Sequence, residues 1–273
     1  MSGTSPVVDF LYGNALGRLI LKAILASHAD KIAVAFLSSR LSKGQVKRYA
    51  KRNGIAMTDE ELDKFRTFRE FFGRARENDV DLTPERLISP CDSRLSVFRL
   101  DDNAGFDIKK ARYALSDLFQ DAELAKEFQG GDVLIFRLCP SDYHRYCYID
   151  DAFQGPNHMI PGKLHSVQPI CCETYPVYAL NRRCWTLLET EHFGRVVQTE
   201  VGALVVGGIV NPKENAHVKR GEEKGRFDLA GSTIVLFFQK DKIRLRPELV
   251  EKLKDGEVQV KYGEWIGNQF VAE

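Results

Sequence analysis

The sequence predicts an α+β fold, an N-terminal helical layer on a largely antiparallel β body, and three observations carry that prediction. Up to about residue 80 the apolar side chains recur near helical spacing. From about Leu87 the texture changes to short β-branched and aromatic runs separated by turns. No internal repeat, low-complexity tract or long linker lies between the two parts, and 273 residues are enough to bury a large core. The expected division is 1–80, helical, and 81–273, β-rich.

Residues 7–27 carry Phe10, Leu11, Leu16, Leu19, Ile20, Ala23, Ile24 and Leu25 on an amphipathic pattern interrupted by Arg18 and Lys22. This predicts one helix from around Asp9, with Gly13 and Gly17 as weak points. After a second apolar stretch, Ile32 to Leu37, Lys47, Arg48, Lys51 and Arg52 fall three and four apart and form one basic helix face. Thr58-Asp59-Glu60-Glu61 reads as a helix start, and that helix is expected to run through Phe65, Phe68, Phe71 and Phe72 to about Arg74. Arg94–Leu100, Val133–Leu138, Ile234–Phe238 and Val258–Tyr262 read as strands, with short helices between 109 and 130 and after Leu245.

Composition bounds the function. Hydrophobic content of 44% and charged content of 28% are ordinary for a soluble globular chain. A net charge of +1 carries no global nucleic-acid signature, so no nucleic-acid partner is expected. The six cysteines, at 91, 139, 147, 171, 172 and 184, show neither a CxxC pair nor zinc spacing, so reduced thiols and no metal are expected. No run approaches ~20 apolar residues and no signal peptide is visible, so the chain is expected to work from a cytoplasmic surface.

The chemistry concentrates in Arg220-Gly221-Glu222-Glu223-Lys224-Gly225-Arg226-Phe227, followed by Gly231-Ser232-Thr233 at the mouth of an apolar strand. Gly-Ser-Thr alone is usually a turn. A serine hydroxyl can nevertheless attack the carbonyl just before it, converting the peptide bond to an ester. Elimination leaves dehydroalanine, which hydrolyses to a pyruvoyl group and ammonia. A glycine before the serine removes the side chain that would obstruct the attack.

This phrase resembles the processing site of the phosphatidylserine decarboxylases, pyruvoyl-dependent enzymes of phospholipid synthesis. Further segments resemble the same family in the same order: Phe71-Phe72-Gly73-Arg74, Ser89-Pro90-Cys91-Asp92, Asp142-Tyr143-His144-Arg145, Gly162-Lys163-Leu164-His165-Ser166-Val167-Gln168-Pro169, Val201–Ile209 and Gly263-Glu264-Trp265-Ile266-Gly267. The resemblance implies cleavage between Gly231 and Ser232, a pyruvoyl cofactor made from Ser232, and decarboxylation of phosphatidylserine to phosphatidylethanolamine. It implies that Asp92 belongs to the self-cleavage group, that His144 assists decarboxylation and that His165 binds substrate by holding the headgroup or shaping the pocket, a structural role for His165 being equally open. The second histidine of the family pattern, the base for cleavage, is replaced here by Cys147. The region 1–80 would then associate with the membrane, its basic face meeting anionic headgroups on the cytoplasmic side, peripherally. Open alternatives are a free amino acid as substrate and a non-catalytic lipid-binding relative, and a homodimer is also open.

Overall fold

The computed structural model describes residues 6–26, 29–173, 175–203, 208–229 and 232–271, and has the expected α+β architecture. Among the described residues six α-helices, Pro6–Gly13, Ala15–Ala26, Ala29–Leu37, Lys43–Arg52, Asp59–Asp63 and Phe68–Phe72, precede the first strand, Arg86–Ile88. The body is a nine-stranded sheet among the described residues, running Ala216–Val218, Ala152–Gln154, Arg183–Thr190, Gly194–Gly202, Ser232–Phe238, Asp132–Leu138, Ser93–Arg99 and Val258–Val260. The ninth strand, His158–Ile160, pairs with Arg183–Thr190 off that path. Its named pairings are antiparallel.

Two expected helices are divided. Residues 7–27 break at Asn14, whose side-chain oxygen accepts from the Gly17 N–H at 2.7 Å and starts a new helix. Gly17 is required there, because a Cβ would overlap the Phe10 carbonyl. The phenylalanine helix breaks at Thr67, which caps the Glu70 N–H at 3.1 Å, while Ser42 Oγ takes the Phe68 N–H at 2.9 Å. The Thr58 start is as expected, a reciprocal capping box with Glu61. Local hydrogen-bonding side chains, which compete with the helix ladder, explain both breaks.

The central strand Ser232–Phe238 is buried at every position. Its alternate side chains feed two cores. Val235 and Phe237 face the cluster that includes Val8, Leu11, Tyr12 and Leu21 of the first two helices. Ile234, Leu236 and Phe238 face a second cluster with Leu138, Tyr146, Cys147 and Phe227. A third cluster joins Val46, Leu62, Phe68, Phe71 and Phe72 to Leu229, so the helical layer seats directly against the segment leading to Ser232.

Candidate active site

Strand register places Ser232 and Asp92 at one end of the large sheet. Ser232 pairs with Leu138 on one side and Gly202 on the other. Arg94 pairs with Arg137, the next position along, so Asp92 lies just beyond the same row of the sheet. At about 4.8 Å per strand, the Asp92 and Ser232 strands are roughly 10 Å apart. Gly231 lies outside the described residues, as do 204–207 within the expected Val201–Ile209 strand, whose ends appear as Gly194–Gly202 and Gly208–Val210.

Ser232 is 1% exposed, and its Oγ has no hydrogen-bond partner among the described residues. A buried hydroxyl without a partner costs about 1–3 kcal/mol.

His144 follows the Asp132–Leu138 strand and precedes Arg145–Cys147. It is 2% exposed, and Phe72 lies against it with ring centroids 4.2 Å apart. Burial pushes the imidazole pKa down to about 3, against the opposing hydrogen bond to Asp142, so the ring is neutral at pH 7. Nδ1 lies 2.8 Å from the Asp142 carbonyl, which can only accept, so Nδ1 carries the proton. That leaves Nε2 as the basic nitrogen, and it is buried without a partner among the described residues.

Burial opposes ionisation of Asp92, yet its pKa is lowered overall by Arg76, the Tyr262 N–H and Lys261. Arg76 Nη2 donates to Oδ1 at 2.8 Å, the Tyr262 N–H to the same atom at 3.0 Å, and Lys261 Nζ lies 3.6 Å from Oδ2. Asp92 is near enough to raise the His144 pKa through its charge, with Arg74 acting in the opposite sense. The carboxylate is therefore a fixed negative charge beside a neutral imidazole.

Cys147 is fully buried, with its thiol 3.5 Å from the Pro90 carbonyl. Burial outweighs a hydrogen bond from Tyr262 and pushes the pKa up to about 12. At neutral pH this group is a thiol, not a thiolate, and has no basic lone pair comparable to an imidazole. Cys147→Ala is accordingly expected to change the rate of chain cleavage by less than twofold, measured by a gel time course. A tenfold slowing would return Cys147 to the reacting group.

His165 is tied to the site through Asn181. Asn181 Oδ1 accepts from the His165 N–H at 2.8 Å, and its Nδ2 donates to the carbonyls of His165 and of Gly202, both at 2.8 Å. Gly202 is the cross-strand partner of Ser232, so one amide couples the 165 loop to the strand beside Ser232. The His165 ring meets the Tyr12 hydroxyl at 3.2 Å, and burial and then Lys163 lower its pKa.

The charged phrase before the processing position is scaffolding. Arg220 pairs with Asp150 at 2.9 Å, Glu223 with Arg145 at 2.8 Å and Lys224 with Glu200 at 2.9 Å, the last pair fully buried. Gly225 is required because a Cβ would overlap the Val210 carbonyl and the Asn211 side chain. In the Asp142–Arg145 phrase, Asp142 accepts from the Cys139 N–H at 2.7 Å and the Tyr143 hydroxyl accepts from the Arg76 N–H at 3.1 Å. Arg145 binds the Gly73 carbonyl as well as Glu223. Sequence reading did not single out Arg76 or Tyr262, nor assign Asn181 a role. Arg76 and Tyr262 lack a distinctive motif, and their partner Asp92 is 16 and 170 residues away in sequence.

A model of the phosphatidylserine decarboxylase family matches residues 66–268. The chain is 39% identical over 265 residues to phosphatidylserine decarboxylase proenzyme 2 of Clostridium acetobutylicum, covering 95% of this chain and 91% of that protein. It is 38% identical to the phosphatidylserine decarboxylase proenzyme of Clostridium kluyveri, over 96% and 92% of the two chains. Identity to the proenzyme of Ruminiclostridium cellulolyticum is 35%, over 96% and 91%. With a family match over most of its length and whole-chain relatives at this identity, the chain belongs to the phosphatidylserine decarboxylase family of enzymes.

Proposed function

We propose that the chain cleaves itself between Gly231 and Ser232 and then decarboxylates phosphatidylserine to phosphatidylethanolamine. The observation that carries this reading is Ser232 Oγ, buried and without a hydrogen-bond partner among the described residues, two strands from the strand that follows Asp92; His144 Nε2 is likewise buried without a partner among the described residues. Family membership and relatives named as proenzymes support it.

His144 takes the role of base. Its neutral Nε2 accepts the hydroxyl proton as Ser232 Oγ attacks the Gly231 carbonyl, moving the acyl group from nitrogen to oxygen. Burial and the Arg74 charge oppose the imidazolium that results, while the hydrogen bond to Asp142 and the Asp92 charge favour it. Loss of the Ser232 α-proton and the Gly231 carboxylate leaves dehydroalanine, and water converts it to the pyruvoyl group with release of ammonia. The buried, partner-free setting of Ser232 fits such a group, because no hydrogen bond among the described residues has to break before the hydroxyl attacks. When formed, the pyruvoyl carbonyl supplies a sink for the electrons released with carbon dioxide. Phe72 and the surrounding core exclude water from His144, while the Asn181 clamp holds His165 beside the Ser232 strand.

The direct test is carbon dioxide release from phosphatidylserine in mixed micelles and from free serine, alongside an intact-mass spectrum. Two chains and release from the phospholipid alone are expected. Release from serine would replace the substrate, and binding without release would leave a lipid-binding relative.

The helices before the β body would rest on the bilayer surface, peripherally. Leu16, Leu19, Ile32 and Leu41 are 62–82% exposed, and among the described residues no helix is long and apolar enough to cross a membrane. The basic face is smaller than the sequence suggests, because Lys47 is paired with Asp63 at 2.8 Å. Arg48, Lys51 and Arg52 remain exposed. Binding to anionic vesicles is expected to weaken severalfold between 50 and 500 mM salt, roughly as screening shortens from over 10 Å to under 5 Å. Equal binding to neutral and anionic vesicles in a flotation assay would leave apolar insertion alone.

A further inference from the structure

A cavity of about 430 Å³ lies beside the Ser93–Arg99 and Asp132–Leu138 strands, with Val167 and Pro169 in its wall. Its size falls in the range of small-molecule sites, ~300–1,000 Å³. We infer that this cavity holds one acyl chain of the lipid substrate. The inference rests on the phospholipid reading above and specifies how the lipid tail is recognised.

Three observations carry it. First, the wall is mostly apolar, with Phe98, Ile108, Ile135, Val167 and Leu253 prominent. Second, its charges are neutralised in pairs. Arg137 Nε donates to Glu257 at 2.9 Å, and Lys109 lies 2.9 Å from Glu173. Burial pushes the Cys172 thiol up to about 12, which keeps it neutral. No cation in this lining is left to attract a phosphate and no anion to attract an amine, so the cavity suits an uncharged chain rather than a headgroup.

The third observation is position. Ile135, Val167 and Cys172 belong to the same buried cluster as Val8, Leu11, Tyr12 and Leu21 of the first two helices, whose Leu16 and Leu19 are exposed. Most of the cavity wall thus lies on the side of the sheet that carries the proposed bilayer-facing helices, with Val97 and Leu253 packing against the second cluster. Arg137, in its lining, pairs with Thr233, the residue after Ser232. Neighbouring positions on a strand present opposite faces, so a tail in the cavity runs behind Ser232 and its headgroup turns around the strand ends to reach the site. Val167 in the cavity wall continues directly from His165 and Ser166.

Ser96 lines the cavity and is half-buried, so a larger side chain there fills the space without displacing a core residue. The experiment compares wild type, Ser96→Trp and the size-preserving Ser96→Ala, using dioleoyl and dibutanoyl phosphatidylserine in detergent. Ser96→Trp is expected to cleave into two chains as wild type does. Its KM for the dioleoyl substrate should rise at least tenfold, with kcat/KM for the dibutanoyl substrate within twofold and Ser96→Ala unchanged on both. Equal losses on the two substrates, or no loss on the long one, would overturn the assignment. Binding gives a readout independent of catalysis, with a phosphatidylcholine carrying a fluorescent polyene chain as the probe. Its emission should saturate with wild type and weaken at least tenfold in apparent affinity with Ser96→Trp, whereas unchanged binding refutes the acyl site. If wild type acts on neither phosphatidylserine, the functional reading fails while the polyene titration still decides the cavity.

Discussion

Ser232→Ala remains a single uncut chain, and carbon dioxide release from phosphatidylserine falls to background. This is the largest effect expected, because alanine removes both the proposed attacking atom and the proposed source of the pyruvoyl group. Structural damage does not explain it, since the hydroxyl makes no hydrogen bond among the described residues and its removal relieves a desolvation cost of about 1–3 kcal/mol. The melting temperature of Ser232→Ala should therefore equal or exceed that of an uncut reference such as His144→Gln. Intact mass and a thermal melt check both halves. Cleavage of Ser232→Ala at the same bond would end the proposal that Ser232 is the nucleophile.

His144→Gln is expected to slow chain cleavage by about 10²–10⁴-fold, the usual contribution of a positioned base. Glutamine keeps a polar group near the Asp142 carbonyl but has no basic lone pair equivalent to Nε2. A time course on freshly folded protein measures the effect, and a loss below threefold would remove His144 from the role. The same variant carries a pH signature. Below its ordinary value of 6.5 the unfolded state takes up a proton at His144, whereas the folded state does so only near 3. The unfolded state thus binds more protons across that interval, and this histidine makes the protein lose stability as pH falls from about 6.5 towards 3. Removing it should flatten the fall in melting temperature over that range. The contribution of Asp92, whose pKa is lowered by its partners, should persist in the acid limb.

The Cys147 position shows how the local pattern and the folded site divide the question. In sequence the substitution removes the expected base and leaves the thiol's pKa open. Alternation along a regular strand also argues that His144 and a residue three positions later face opposite sides. In the structure His144 precedes the Arg145–Cys147 strand, so strand alternation does not bind it. Burial then acts on the two groups in opposite directions. It keeps the imidazole neutral with an available lone pair, and it keeps the thiol protonated.

Much of the architecture was legible because it depends on short-range pattern. The apolar Ile234–Phe238 run, Val133–Leu138 and Arg94–Leu100 became three adjacent strands of the central sheet; the first two are consecutive β-branched and aromatic runs buried on both faces, whereas the third, with Arg94, Ser96 and Arg99, is buried only in part. The helical layer and the Thr58 cap follow equally from local spacing and side-chain oxygens. The breaks at Asn14 and Thr67 were missed because a single side-chain hydrogen bond reset the helix within an unbroken apolar pattern.

What the amino-acid order determined by itself is the chemistry on offer: a glycine–serine bond at the mouth of a buried strand, an Asp-Tyr-His-Arg segment and a thiol where a second imidazole would stand. Which of these groups can react was decided by tertiary structure. Arg76 and Tyr262, 16 and 170 residues from Asp92 in sequence, hold its carboxylate ionised, and Asn181 ties the 165 loop to Gly202 beside Ser232. Desolvation and charge act through space, so the protonation of His144, Cys147 and Asp92 was set by neighbours that only folding assembles.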